Sequence, residues 1–117
     1  MHFQSYTITR LIMTCFLAIQ GFQLENTFIF KEIAVLSEHS DIFHVWSLQP
    51  PCRIFHLSAL DKQIVKLNSN GQLGLLWDDG MIAYKYLPSI FETIAREFKL
   101  WYVEDVCTEK RIHPFKS

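Results

Sequence analysis

Three carboxylates stand where a side chain could do more than solvate a surface. Glu32 falls inside the apolar run Thr27 to Leu36, with Phe30, Ala34 and Leu36 on its own strand face. A carboxylate in such company needs a counter-charge or a metal ion; the plain alternatives are an ion pair with a lysine or a face turned to solvent. Glu104 and Asp105 follow the short aromatic run Leu100 to Val103. Acids at the end of a buried strand can offer oxygen ligands to a hard divalent cation, or simply cap the strand in water. Glu32, Glu104 and Asp105 are therefore the candidate catalytic or metal-binding residues.

Other reactive side chains form no pattern. Asp78-Asp79-Gly80 reads as a turn. His2, His39, His44, His56 and His113 have neither the i, i+4 spacing nor the Cys/His pairing of a zinc site. Cys15, Cys52 and Cys107 are odd in number, far apart and without a C-x-x-C pair, which suits buried or half-buried thiols in a reducing compartment. No nucleophile elbow and no phosphate-binding glycine loop is present. Trp46, Trp77 and Trp101 could stack on bases, but no cluster of Lys and Arg lies beside them, so they are assigned to the core.

The elements that position these groups follow from length and periodicity. A chain of 117 residues, half hydrophobic and one-fifth charged, suits one folded domain. Its formal net charge of −1 describes no basic groove for phosphates. Leu11 to Ile19 is a continuous apolar run of strand length, expected at the middle of a sheet with Phe16 buried. Gln20 to Asn26 is expected as a turn through Gly21. Thr27 to Leu36 and Asp41 to Leu48 then complete a three-stranded antiparallel meander, ended by Pro50-Pro51.

Beyond the prolines the period becomes helical. Ser58 is an N-cap with Asp61 three residues on, and Leu60, Ile64 and Leu67, with Val65 beside them, mark the apolar side of a first helix. The connection "GQLGLLWDDG" follows. Leu87, Ile90, Phe91, Ile94, Ala95 and Phe98 then predict a strongly amphipathic helix with Pro88 in its first turn. "LWYV" is a buried strand, and "EDVCTEKRIHPFKS" begins one more helix. The expected class is α/β (α+β), with an extension over residues 1–10, one domain over 11–112 and a tail over 113–117.

Leu11 to Ile19 also has the apolar character of a secretory h-region. Its cleavage pattern is poor, since Ala18 is preceded at the critical position by Phe16, and the run is short of the roughly 20 residues that span a bilayer. A sheet strand in an intracellular protein, cytoplasmic or nuclear, is the expectation; a secreted protein is the alternative.

Three segments carry a family resemblance. "AIQGFQLENTFIFKEIAVL" (Ala18 to Leu36) resembles the D-I-x-G-F … F-x-x-K-E-[LI]-A-[IV] opening of a large ribonuclease-H-like family from invertebrate genomes, mobile elements and large DNA viruses. "LGLLWDDGMIAYKYL" (Leu73 to Leu87) is similar to its H-G-[IL]-x-W-x-D-G segment, and "LWYVEDVCTEK" (Leu100 to Lys110) to its [IL]-Y-V-K-G-x-x-K strand and turn. The similarity spans about residues 11–112. It implies a partial ribonuclease-H-like fold of three antiparallel strands, helices and a further strand, with nucleic acid as a partner known through the family alone.

The departures bear on activity. Nucleases of this fold gather carboxylates around two Mg²⁺ ions roughly 3.5–4 Å apart. Ala18 stands where the family has an aspartate, Gln20 is neutral, Glu104-Asp105 replace Lys-Gly, and the chain stops before the region that would supply a last acid. The resemblance thus implies an inactive or fragmentary domain, a pseudo-nuclease with no cofactor. The alternative is a metal-dependent nuclease whose reduced cluster is Glu32, Glu104 and Asp105, using Mg²⁺.

Overall fold

The long uncharged run becomes the interior of a sheet. The structure is a computed structural model that describes residues 13–39, 41–69 and 76–115. Strand β1 (Thr14–Gln23) pairs antiparallel with β2 (Phe28–Ser37), and β2 pairs antiparallel with β3 (Phe43–Ser47). The fourth strand, β4 (Leu100–Val103), lies parallel to β1 on its other side, giving the order β3-β2-β1-β4. The class is mixed α+β.

The first strand is longer than its apolar run suggests, and Leu11 and Ile12 lie outside the described residues. Gly21, expected in a turn, sits within β1 opposite a bulge. Gln20 pairs with Glu32 and Gly21 with Phe30, so Lys31 is the extra residue on β2. A Cβ at position 21 would come within 2.0 Å of the Ile29 carbonyl oxygen, a close approach that only glycine permits. The turn itself shrinks to the residues between Gln23 and Phe28, where the Leu24 N–H donates to the Thr27 carbonyl at 2.8 Å.

Three helices accompany the sheet. Helix α1 (Ala59–Ser69) starts as the sequence indicates, the Asp61 N–H donating to Ser58 Oγ at 3.1 Å. Its buried contact is Val65 with half-buried Ile64, whereas Leu60 and Leu67 are exposed, so the apolar side is rotated from the expected one. Helix α2 (Leu87–Glu97) buries Leu87, Ile90, Phe91 and Ile94. Helix α3 (Val106–Ile112) follows β4 and runs into a single 3-10 turn, His113–Phe115. Phe115 belongs to the expected tail, yet its ring stacks on Phe91 with centroids 4.6 Å apart.

Alternation along β1 and β2 sends their side chains to two different environments. Cys15, Leu17, Ile33 and Val35 meet α2, Trp101 and Ile112 in the main core. On the opposite face, Phe22 and Ile29 form a second cluster with Val65 of α1 and Trp77. Phe16 shares that opposite face but lies beyond the reach of the cluster and is 46% exposed. The expectation that Phe16 is buried is thus corrected: β1 is central, but its burial is one-sided at this end.

The bulge is held by a buried lysine. Lys31 is 3% exposed, and its ammonium donates to the carbonyls of Leu48 at 2.6 Å, Trp77 at 2.8 Å and Asp79. The Lys31 carbonyl accepts from the Leu48 N–H at 2.8 Å. Phe30, beside the bulge, gives its N–H to the Tyr84 hydroxyl at 3.1 Å. Gly80 closes the same arrangement: at φ 136° its missing Cβ would otherwise lie 2.2 Å from the Leu48 carbonyl.

Replacing Lys31 with Met is expected to destabilise the fold by about 3 kcal/mol or more, because it leaves buried carbonyls without donors. Urea unfolding at constant slope measures it. Burial holds the Lys31 pKa below its ordinary 10.5, against the opposing pull of Asp79 and Asp78. Between that lowered value and 10.5 the unfolded chain binds more protons, so this group's contribution to stability rises with pH. The gap between wild type and Lys31→Met should therefore widen across that window. A second pair tests the two faces of β1: Leu17→Asp should abolish folding, while Phe16→Asp should cost about 1 kcal/mol or less.

Candidate functional site

The candidate acids are best located by the rungs of the ladder on the face that carries Phe16. One rung crosses the sheet as Tyr102, Phe16, Leu36 and Phe43; the next contains Ala18, Ala34 and Val45; the third contains Gln20, Glu32 and Ser47. The first rung is a ridge, with the Phe16 and Tyr102 rings stacked at 5.4 Å. The second is a floor of small side chains. Phe16, Ala18, Ala34, Leu36, Tyr102 and Glu104 help line an open trough of about 470 Å³ over these two rungs.

Glu32 and Glu104 belong to this neighbourhood. Glu32 is half-buried on the third rung between Gln20 and Ser47. Its neighbour Lys31 bonds instead to the carbonyls of Leu48, Trp77 and Asp79, so an ion pair between Glu32 and a lysine is not made by Lys31. Glu104 follows Val103, the partner of Leu17, and so comes beside Ala18 at the trough margin. Two strand spacings and a two-residue offset along the strands separate them, which puts the Glu32 and Glu104 backbones roughly 12 Å apart. Ala18 lies between them, and its methyl supplies no oxygen ligand.

Asp105 is engaged elsewhere. It is the N-cap of α3, its carboxylate accepting from the Thr108 N–H at 2.7 Å. That hydrogen bond, with help from the Thr108 side chain and Arg111, holds its pKa below the ordinary carboxylate value. The three candidates are thus not brought together. Among the described residues no group of three His, Cys, Asp or Glu is placed to hold a metal ion.

The remaining sequence candidates also find ordinary places. Asp78 and Asp79 are exposed in the turn before Gly80, and the Asp79 carbonyl rather than its carboxylate takes part in the Lys31 cage. Trp77 and Trp101 are buried and Trp46 is half-buried, as a core assignment requires. Trp77 donates to the Cys52 carbonyl at 2.9 Å and Trp101 to the Phe98 carbonyl at 2.8 Å. Cys15 is buried and Cys52 half-buried, but Cys107 is exposed on the short helix α3, against expectation. Neither Lys31 nor Tyr84 was singled out by sequence reasoning as important. The available signal is a single lysine, beside Glu32, within a strand of mostly apolar residues.

No helix among the described residues is long and apolar enough to cross a membrane. No family model matches the chain, and comparison with curated proteins and with solved structures likewise gives no match.

The cap at Asp105 has a pH signature. Because its native pKa is lowered, the stabilisation it provides is complete above the unfolded value near pH 4 and fades as pH falls through the native one. Asp105→Ala should lower Tm at pH 7, and the two melting curves should converge toward pH 2, as followed by circular dichroism.

Proposed function

We propose that the chain is a ribonuclease-H-like domain of mobile-element or viral type that has lost nuclease chemistry and persists as a binding fold. The observation that carries this reading is the place of Ala18. It stands on the open face of the central strand, with Gln20 and Glu32 on the next rung and Glu104 beside it. A carboxylate there would link the two glutamates into one oxygen-rich patch; a methyl group leaves them separate and gives a divalent ion no central ligand. The order β3-β2-β1-β4, with the meander antiparallel and β4 parallel to β1, agrees with the partial architecture that the sequence resemblance implies.

The competing reading, a metal-dependent nuclease, draws on the fact that Glu32 and Glu104 flank the same position. It has to work without Asp105, whose carboxylate serves the α3 backbone. Calorimetric titration with Mn²⁺ and a cleavage assay on single- and double-stranded substrates decide between them. The wild type should bind no stoichiometric Mn²⁺ and cleave nothing. Ala18→Asp should gain a Mn²⁺ site that Glu104→Gln or Glu32→Gln then weakens. Metal-dependent cleavage by the wild type, lost on Glu104→Gln, would overturn the reading. Absence of any gained site in a folded Ala18→Asp variant would remove its main support.

A further inference from the structure

The sheet face bearing Phe16 is divided into two halves of different fate. Toward Phe22 it is covered: Phe22 and Ile29 are buried against Val65 of helix α1 and Trp77. Toward Phe16 no described element covers it, and Phe43 is 60%, Val45 48%, Phe16 46%, Tyr102 46% and Leu36 45% exposed. Side chains of this size, half open, present roughly 400 Å² of apolar surface, a patch large enough to be functional in a monomer.

The dimensions of the bare half suit a helix. Four strands at spacings of about 4.8 Å make a surface roughly 14 Å across, which accommodates one α-helix of about 10–12 Å diameter. The covered half of the same face already receives a helix. A second copy is a poorer fit, since roughly 400 Å² is about half of what each partner contributes to a standard stable interface. The ridge of Phe16 and Tyr102 above the alanine floor gives the trough a wall against which large apolar side chains can seat.

The charges around the trough specify its occupant further. The four strands contain no arginine, and their single lysine, Lys31, is buried with its ammonium enclosed by three backbone carbonyls. Glu104 lies at one margin and Glu32 on the neighbouring rung, while Glu38, 3.1 Å from His39, and Asp41 are exposed between β2 and β3. Arg111 is turned away, its guanidinium 4.0 Å from the Phe28 ring centroid. An apolar surface with an acidic border favours a basic partner and repels an acidic one.

We infer that the bare half of this face docks an amphipathic helix of another protein, its apolar stripe seated on Phe16, Ala18, Ala34 and Phe43 and its flanks rich in Lys and Arg. This inference does not depend on descent from a nuclease, because it uses only the exposure, width and charge of the face.

The test uses the full chain and a fluorescent 18-residue peptide of Leu and Lys with one apolar stripe, followed by anisotropy. Controls are a scrambled peptide of the same composition and a striped peptide with Glu in place of Lys. The striped Lys peptide should bind, the other two should not. Phe16→Ser with Phe43→Ser should weaken binding at least about tenfold while leaving the circular dichroism spectrum unchanged. Glu104→Lys should weaken it at low salt and less so at high salt, as screening removes the charge contribution. Equal binding of the scrambled peptide would overturn the inference. So would a dimer in sedimentation that excludes the peptide, assigning the face to a second copy. Binding that emerges only after deletion of residues 1–12 would equally overturn it, assigning the face to this chain's own leading segment.

Discussion

A single ammonium group bonds to three separate backbone carbonyls at once. Lys31 reaches the carbonyls of Leu48, Trp77 and Asp79, and its own carbonyl takes the Leu48 N–H. One residue thereby joins the second strand, the end of the third and the turn that precedes helix α2. Burying an ammonium costs several kcal/mol unless each proton finds an acceptor, and here three donors meet three oxygens. Backbone carbonyls serve better than carboxylates in this place because they need no desolvation of a second charge. The residues Asp78 and Asp79 stay exposed, and their carboxylates lend only their field to the site.

This arrangement explains which parts of the sequence could be read. The strand and helix periods of Phe28 to Ser37 and Leu87 to Glu97 were legible because each has one dominant apolar side. The β1 boundary was not, because Gly21 looks the same in a turn and in a bulge; only the partner strand's Ile29 carbonyl, lying where a Cβ would go, distinguishes them. The Ser58 cap marks the start of helix α1, yet helical spacing alone does not fix which side faces inward. Leu60, Ile64 and Leu67 satisfy helical spacing, but a short helix resting on the Phe22 end of the sheet buries only what faces Phe22 and Trp77. Periodicity supplies an angle and leaves the partner unspecified.

The segments that carry the family resemblance take on a physical meaning in the same light. Gly21, Phe22 and Lys31 come from the first, and Trp77, Asp79 and Gly80 from the second. All six lie at the bulge, in its carbonyl cage or in the cluster that covers it. A pattern of this kind reports a way of closing the sheet, whatever side chains the neighbouring rung carries. An alanine at residue 18 is therefore compatible with the motif similarity. The demands on residues 21, 31 and 80 are steric and electrostatic requirements of folding, whereas a carboxylate at residue 18 would be required only for binding an ion.

The bulge also accounts for the uneven cover of the Phe16 face. An extra residue in one strand reverses the alternation on that strand: Phe28 and Phe30 join the main core with Ile33 and Val35, and Ile29 turns to meet Phe22. Below the bulge, large side chains from both strands thus converge on the α1 side and draw that helix and Trp77 onto the sheet. Above it, alternation is regular and the same face receives Ala18 and Ala34, too small to bury Phe16 or Leu36 from within. The α1 residues are already committed to the Phe22 end, so nothing among the described elements extends over the upper rungs. Exposure there follows from the change of register at the bulge. Shifting α1 upward would uncover Phe22 and Ile29, exchanging two well-packed aromatic and aliphatic side chains for contact with two alanines.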